Sequence, residues 1–304
     1  MTAQADLSAI PRVSVLMTIY NAEPYLRPAI DSLLAQTFKD WELIAVENGS
    51  TDTSMSVLKG YSDSRVRIFP LEKNIGRTPA LRLAFNQARG DYIAVLDADD
   101  ISSPDRLARQ VAFLDQHPDV ALVGSWAQHI DEHGKVFDVF EPPVNQEELQ
   151  DCLGWTNPII HSSALYRRQL AQEVGGYPAE IVWAQDLGLT LALARRAKIA
   201  MIADYLCQLR MLTASMTRSS KNQIMVATEA LLLFRRAADT LQLSAKARRL
   251  NRRAMAIAEI KLGVATLRSE SVWTGLKMIL HGLVTAPSAL WGNGPARRFF
   301  GAKF

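Results

Sequence analysis

Apolar and polar positions alternate in blocks along the first hundred residues, and each block has the length of a strand or a helix. Short apolar runs are separated by stretches whose apolar positions recur at helical spacing. The pattern predicts strands at 13–19, 42–46, 66–69 and 92–96, and helices at 23–36, about 52–60 and 78–89. Strands that alternate with helices predict right-handed βαβ units on a mostly parallel sheet.

Polar clusters lie at the carboxyl ends of three of these predicted strands. Ligands of open α/β sheets bind beyond the carboxyl ends of the strands, so the clusters are candidate binding residues. They are Thr18, Tyr20 and Asn21 at the end of the first strand, Glu47 to Ser50 after the second, and Asp97, Asp99 and Asp100 after the fourth.

The pattern is less regular in the middle of the chain and helical throughout from about residue 223. The middle predicts strands at 120–123, 135–140 and 162–166, and helices at 104–116, 146–153 and 185–197. Near the end, apolar residues recur at helical spacing at positions 272, 273, 276, 279, 280, 283 and 284. Pro287 is expected to end that helix.

The composition limits the classes of protein to which the chain can belong. The chain has 304 residues and is 48% hydrophobic, which is enough for one large domain or two small ones. Cys152 and Cys207 have neither metal-ligand spacing nor a disulfide pattern, and they fit a reducing compartment. The first residues lack a secretory signal pattern, and no stretch is apolar enough to span a membrane. We therefore expect a cytoplasmic protein.

Charge is distributed unevenly along the chain. Residues 1–230 hold 21 Lys and Arg against 28 Asp and Glu, a net charge of −7, whereas residues 231–304 hold 13 against 3, a net charge of +10. The last quarter is therefore a basic region attached to an acidic body.

The acidic cluster Asp97-Ala-Asp99-Asp100 allows two interpretations. One is a helix start, because Ser103, Pro104 and Asp105 follow. That interpretation accounts for Ser103 and Asp105 but not for the two carboxylates at the strand end. The other is a site for a hard divalent cation, which carboxylates at i and i+2 can hold together with phosphate oxygens. Spacing alone leaves both open.

Several ordered blocks resemble the family-2 glycosyltransferases of the GT-A fold. The blocks are VSVLMTIYNAEPYL, WELIAVENGSTD, NIGR and ARGDYIAVLDADD, followed by PDRL, Gln110 and VGS at 123–125. The resemblance covers roughly residues 12–217. It implies an α/β GT-A domain over 1–220, with a nucleotide-sugar-binding half at about 12–117 and an acceptor half at about 118–220. Residues 221–304 lie outside the resemblance, and we expect them to form a basic, amphipathic helical C-terminal region.

The resemblance also implies roles for the donor-side residues. Asp97 and Asp99 match the metal motif, in which Asp99 coordinates Mn²⁺ or Mg²⁺ and Asp97 contacts the ribose or a metal-bound water. Thr18 and Tyr20 match positions that hold the base and the ribose. Arg77 follows the NIG block, and it either reaches the diphosphate or is a solvated helix-start arginine.

The strongest donor-side departure from the family is at Glu47 and Asn48, where relatives usually carry two aspartates. The second aspartate commonly accepts a hydrogen bond from uracil. Asn48 can still accept through its amide oxygen, but it can also donate. A UDP-sugar remains the favoured donor.

On the acceptor side, Asp186 matches the family's catalytic base, which follows a Gly-Gly-Tyr turn. Its alternative is a carboxylate at a helix N-terminus, stabilised by the helix dipole. Gln185 replaces the glutamate that usually precedes the base, and Gly188 and Ala192 replace an aspartate and an arginine. His161 matches an acceptor-side block, but a lone histidine before a strand is more often structural.

We therefore predict an inverting, metal-dependent transfer of a sugar to a hydroxyl of a glycan or lipid-linked glycan, in surface polysaccharide synthesis. The departures from the family pattern keep open a second function, that of a catalytically silent module which binds a sugar nucleotide. A nucleotidyltransferase is disfavoured because the early Gly-rich, basic loop is absent. The basic C-terminal region either packs on the catalytic domain or binds an anionic membrane surface. No nucleic-acid recognition pattern is present.

Overall fold

The computed structural model describes residues 10–212, 220–269 and 272–286. Its sheet begins with four parallel strands in the order β3-β2-β1-β4. The strands are β1 (Val13–Ile19), β2 (Trp41–Glu47), β3 (Val66–Pro70) and β4 (Tyr92–Val95), and the helices between them are α1 (Glu23–Leu34), α2 (Ser54–Lys59) and α3 (Arg77–Gln87). The predicted βαβ units are confirmed.

The sheet continues beyond β4 as a mixed sheet, in the order β8-β6-β9-β5 with β7 also paired to β6. β8 runs antiparallel to β4 and β6, whereas β9 runs parallel to β6. The elements of this half are β5 (Ile101–Ser102), α4 (Arg106–Gln116), β6 (Val120–Ile130), β7 (Val136–Phe140), α5 (Gln146–Cys152), β8 (Leu165–Arg167), α6 (Arg168–Glu173), α7 (Gln185–Ala194) and β9 (Lys198–Arg210).

The core has two layers because side chains of a strand point alternately to the two faces of a sheet. Leu16, Ile44 and Val95 pack on one face against α3 and α7. Val15 and Leu43 pack on the other face against α1 and α4. Burial on both faces explains why β1, β2 and β4 are almost continuously apolar in sequence.

Three helices follow the sheet: α8 (Ser220–Thr240), α9 (Ala245–Ser269) and α10 (Val272–Thr285). Leu233 and Ala237 of α8 and Ala247 of α9 belong to the same apolar core as α3 and α7. Ser244 and Asn251 add hydrogen bonds to Asp151 and to the carbonyl oxygen of Gly154. The first part of the C-terminal region is therefore packed on the sheet domain.

Helix α10 packs closely on α9 through glycines. A Cβ at Gly275 would lie 2.6 Å from the carbonyl oxygen of Gly263, and one at Gly282 would lie 2.8 Å from Ile260. The opposite face of α10 is apolar and exposed. Its members are Val272, Trp273, Leu276, Leu280 and Val284, of which Trp273 is 76% exposed.

Within the described ranges, no helix combines the length and apolar content needed to cross a membrane. The prediction that no secretory signal is present concerns the beginning of the chain. The first nine residues lie outside the described ranges. The predicted helix end at Pro287, and Arg297 and Arg298 of the basic region, also lie outside them.

The sequence prediction missed three elements: β5, α6 and the thirteen-residue strand β9. Between Lys198 and Arg210 the burial pattern is irregular, with three exposed residues in a row at 203–205. The sequence of this segment therefore shows no regular alternation of apolar and polar residues. The helical pattern that precedes it also hides the start of the strand. The predicted strand at 162–166 was partly wrong, because His161–Ser163 form a 3₁₀ turn before β8.

Candidate functional site

The predicted donor-side residues meet at one edge of the sheet. β1 pairs with β2 and β4 in parallel, so their carboxyl ends lie side by side. Thr18 is half-buried at the end of β1, and Tyr20 just beyond it is 40% exposed. An aromatic ring and a hydroxyl are therefore available at the surface of this edge.

Glu47 and Asn48 are buried behind that edge and hold the neighbouring loops. Glu47 accepts a hydrogen bond from the backbone N–H of Ser50 at 2.6 Å. The Asn48 amide oxygen accepts from the N–H of Ile75 at 3.0 Å, and its nitrogen donates to Asn74 Oδ1 and to the carbonyl oxygen of Gly76. Asn48 thus fixes the loop that leads into Arg77.

The turn after Asn48 requires glycine. Gly49 has a φ of +69°, and a Cβ there would lie 2.4 Å from the backbone carbonyl carbon of Lys73. Asp52 accepts from the N–H groups of Ser54 and Glu23, so it stabilises the start of α1 as well as its own turn. Residues 49–52 therefore form a turn that leads into α2, whose N-cap position is Thr53.

Asp97 is the centre of a compact charged cluster. One guanidinium nitrogen of Arg77 lies 2.8 and 2.6 Å from the two Asp97 carboxylate oxygens. His161 Nδ1 lies 3.5 Å from Asp97 Oδ1 and 3.3 Å from the same Arg77 nitrogen. Burial raises the pKa of Asp97, but Arg77 and His161 outweigh it and hold the pKa well below its usual range. Arg77 is therefore ion-paired at the start of α3, while 38% of its side chain stays exposed.

Asp100 is buried and structural. It accepts hydrogen bonds from Ser162 Oγ and, at 2.8 Å, from the backbone N–H of Arg210. Burial and the charges of Asp99 and Asp97 raise its pKa well above the ordinary value. The Arg210 side chain donates to the carbonyl oxygen of Asp99 at 3.0 Å, so strand β9 secures the acidic turn.

Asp99 is the member of the cluster that fits a cation. Burial, and then the neighbouring Asp97 charge, raise its pKa to about 6. In the described part of the chain, no other residue donates a hydrogen bond to its carboxylate. A hard divalent cation prefers oxygen ligands and is commonly held by one or two carboxylates together with substrate phosphates. Within the described ranges no group of three metal-binding side chains occurs, so the phosphates would have to complete the coordination.

The helix-cap interpretation of this segment is only partly correct. Asp105 occupies the N-cap position of α4, but its side chain bonds none of the helix N–H groups. Instead it accepts a hydrogen bond from Ser103 Oγ at 2.8 Å.

His161 belongs to a buried chain of hydrogen bonds rather than standing alone. Its Nε2 lies 2.9 Å from the Tyr177 hydroxyl, which lies 3.2 Å from that of Tyr166. Arg82 of α3 donates to the carbonyl oxygens of Gly175 and Tyr177. The Gly-Gly-Tyr turn is therefore linked both to the Asp97 cluster and to helix α3.

Asp186 lies in the first turn of α7 and close to Arg77. Asn157 Nδ2 donates to Asp186 Oδ2 at 2.8 Å. Asp97 is the main cause of the raised pKa of Arg77, and the charges of Asp186 and Asp99 add to it. Gln185 satisfies its amide when its oxygen accepts from Arg77 Nε at 3.1 Å and its nitrogen donates to the carbonyl of Val182. Arg77 thus contacts Asp97 on the donor side and Gln185, the residue before Asp186, on the acceptor side.

The sequence prediction did not include Asn157, Ser162 and Tyr177 among the site residues, although each contacts one. Asn157 and Ser162 flank His161 in the same block, and Tyr177 ends the Gly-Gly-Tyr turn. Gly188, by contrast, is explained by packing, because a Cβ there would lie 2.6 Å from Pro178 Cγ.

Comparison with known families gives one clear match. The profile of Glycosyl transferase family 2 matches residues 14–175. An uncharacterized glycosyltransferase of Methanocaldococcus jannaschii, MJ1057, is 32% identical over 206 residues, which are 66% of this chain and 71% of the relative. The O-antigen biosynthesis glycosyltransferase WbnJ of Escherichia coli is 31% identical over 176 residues, 57% of this chain and 68% of WbnJ.

Two solved structures share the fold. Staphylococcus aureus TarS 1–349, in complex with UDP-GlcNAc, superposes with a TM-score of 0.62 at 18% identity, covering 91% of each chain. The mannosyltransferase PcManGT from Pyrobaculum calidifontis, in complex with GDP-Man and Mn²⁺, gives 0.62 at 20% identity, covering 93% of this chain and 88% of that one. The predicted GT-A architecture is confirmed.

Proposed function

Because the chain belongs to glycosyl transferase family 2, we propose that it moves one sugar, with inversion, from a nucleotide-diphosphate-sugar to a hydroxyl. The acceptor is a glycan or a lipid-linked glycan, and the pathway is surface polysaccharide synthesis. WbnJ, whose name assigns it to O-antigen biosynthesis, supports the choice of pathway.

One observation carries the proposal: Arg77, which is ion-paired with the donor-side Asp97, also donates a hydrogen bond to Gln185, the residue before the acceptor-side Asp186. Asp97 is ion-paired with Arg77, and Asp186 contributes to the raised pKa of that guanidinium. A transferase needs a cation and phosphate site next to a proton acceptor, so that the leaving group and the attacking hydroxyl meet at one carbon.

The donor is bound at the edge formed by Thr18, Tyr20 and the acidic turn. UDP is favoured, in line with the UDP-GlcNAc complex of TarS. Glu47 and Asn48 support this pocket from behind. The amide nitrogen and the amide oxygen of Asn48 already form hydrogen bonds with the loop at 74–76. The second lone pair of that oxygen remains to accept a hydrogen bond from a nucleobase N–H.

Asp99 would hold Mn²⁺ or Mg²⁺, with Asp97 beside it at the ribose or a metal-bound water. The bound cation would neutralise charge that builds on the diphosphate as the glycosidic bond breaks. Arg77 would add a fixed positive charge beside the same phosphates. The Mn²⁺ complex of PcManGT supports the use of a divalent cation.

Asp186 acts as the general base. The acceptor hydroxyl loses its proton as its oxygen attacks the anomeric carbon, and a carboxylate oxygen takes that proton. Asn157 donates to Oδ2 and thereby orients the group, which leaves Oδ1 for the hydroxyl. His161, between Arg77 and Tyr177, supports the acceptor side.

We extend the proposal to the location of the enzyme, at the cytoplasmic face of an anionic membrane. The exposed apolar face of α10 and the net charge of +10 over residues 231–304 support this. An amphipathic helix inserts its apolar side chains at the headgroup boundary, and each nearby basic residue adds about 1 kcal/mol on an anionic surface.

A panel of nucleotide-sugars with and without Mn²⁺ tests the activity. We expect one nucleotide-sugar to raise the melting temperature in the presence of Mn²⁺, since ligands that bind the native state stabilise it, and to be converted to nucleoside diphosphate. Binding without release would favour a silent binding module. Pyrophosphate release from a nucleoside triphosphate would favour a nucleotidyltransferase.

A further inference from the structure

A buried carboxylate of the C-terminal region reaches the segment that carries the proposed base. Glu229 lies on α8 and is 7% exposed. Its Oε1 accepts from the backbone N–H of Val182 at 2.7 Å, and its Oε2 accepts from those of Trp183 and Ala184 at 2.8 and 3.0 Å. Three successive backbone N–H groups therefore converge on one carboxylate.

These three hydrogen bonds are what compensates the burial of the Glu229 charge. Among the described residues no basic side chain forms a salt bridge with it, and a buried carboxylate without compensation is costly. Backbone N–H groups that converge on an anion bind it with charge-assisted hydrogen bonds. The backbone at 182–184 is consequently held in one conformation as long as the carboxylate is present.

That backbone leads directly to Asp186. Ala184 is the N-cap residue of α7, and Asp186 is the second residue of the helix. From the other side, Thr78 Oγ1 of α3 donates to the carbonyl oxygen of Ile181 at 2.7 Å. The segment before Asp186 is thus fixed between α3, which begins with Arg77, and α8.

We propose that Glu229 is a positioning residue, which sets the start of α7 and with it the Asp186 carboxylate relative to Arg77 and the donor. The C-terminal region then completes the active site in addition to any role at a membrane. This inference rests on the proposed role of Asp186 as the base. A displacement of about 1 Å at a reacting group can lower a rate by about a hundredfold.

The test is Glu229→Gln, which keeps the size of the side chain but turns an NH₂ group toward backbone N–H donors. We expect kcat for nucleoside diphosphate release to fall by about 10- to 100-fold, while the KM for the donor stays within about twofold. In the Asp186→Asn background, Glu229→Gln should cause no further loss, because both changes remove the same function.

Glu42→Gln is the matched control. Glu42 is also a buried carboxylate, 2% exposed, and it accepts hydrogen bonds from Ser14, Arg67 and Arg89 near the beginning of β2, at the opposite edge of the sheet. We expect this variant to lower the melting temperature at least as much as Glu229→Gln and to keep the wild-type kcat.

Two results would overturn the positioning role alone: a wild-type kcat in Glu229→Gln, or equal losses of kcat in both variants. A wild-type protein that releases no nucleoside diphosphate from any donor would remove the proposed function, and the positioning role with it. Hydrogen exchange adds a readout independent of turnover. The backbone amides of 182–184 should exchange faster in Glu229→Gln than in the wild type, and their exchange rates should be unchanged in Glu42→Gln.

Discussion

Asp97, Asp99 and Asp100 are adjacent in sequence, yet each has a different environment. Asp97 is paired with Arg77 and His161, Asp100 is bonded to Ser162 and Arg210, and Asp99 has a raised pKa of about 6. Burial and neighbouring carboxylates raise the pKa of both Asp99 and Asp100. Asp100 accepts hydrogen bonds from Ser162 and Arg210, so Asp99 is the residue whose charge a cation would stabilise most.

Asp99→Asn should raise the melting temperature of the metal-free protein at pH 7.5 by a few degrees, because it removes a half-buried charge beside Asp97. One kcal/mol corresponds to about 2–4 °C in a domain of this size. The same change should abolish the stabilisation by Mn²⁺ with donor. Differential scanning fluorimetry measures both, and a variant that melts lower than wild type but still responds to Mn²⁺ would contradict the assignment.

The pH dependence of stability should carry the signature of Asp99. Its folded pKa of about 6 lies above the ordinary value of 3.8, so the folded state binds the proton more tightly than the unfolded state between these values. Protonated Asp99 therefore stabilises the folded state. This contribution is fully present below about pH 4 and is lost as the pH rises through 6. The difference in melting temperature between Asp99→Asn and wild type should grow over this range; a constant difference would contradict the shift.

At the level of elements, the start of α7 is held in place by several neighbours. Glu229 holds the backbone before it, and Gly188 allows α7 to lie against Pro178. The aspartate that relatives often carry at the position of Gly188 does not fit this packing. The departure from the family pattern at Gly188 therefore has a structural cause here.

Gly188→Ala should destabilise the protein although alanine is the better helix former. The new methyl group would lie 2.6 Å from the Pro178 ring, which cannot rotate away, and overpacking of this kind costs about 1–3 kcal/mol. Urea unfolding measures the change. Gly134→Ala, at a glycine with a φ of +84° and no atom within 4 Å of a Cβ, is a control for backbone strain without a clash.

The sequence predicted the parallel half of the sheet and its binding edge well, because β1, β2 and β4 are buried on both faces and end in polar clusters. It did not predict β9, whose exposed residues interrupt the apolar pattern. It also could not indicate that Arg77 pairs with Asp97 or that Glu229 reaches residue 182. Those contacts join residues 20 and 47 positions apart, and no local pattern encodes them.

At the scale of the whole molecule, the C-terminal helices have two different surfaces. Helix α8 and the beginning of α9 belong to the core of the sheet domain, whereas α10 contacts α9 through Gly275 and Gly282 and leaves its large apolar side chains exposed. The sequence interpretation offered packing and membrane binding as alternatives. The packing is observed, and the membrane role of α10 is compatible with it.

Replacing both Trp273 and Leu280 by serine should abolish sedimentation with vesicles of anionic lipid. Both side chains are exposed, at 76% and 63%, so the fold should be unaffected, and burying each in lipid contributes about 1.5–3 kcal/mol. Phe137→Ser, at a residue of β7 that is 55% exposed, is the control and should bind like wild type. Deleting residues 271–304 should also prevent binding, and unchanged sedimentation of the double variant would contradict the proposal.

The most direct test of the central claim compares Asp186→Asn with wild type in Mn²⁺-dependent release of nucleoside diphosphate from the donor that the panel identifies. Loss of a general base lowers kcat by about 10²- to 10⁴-fold, and we expect that loss while the affinity for the donor, measured by calorimetry, stays the same. Unchanged turnover in Asp186→Asn would contradict the assignment of Asp186 as the base.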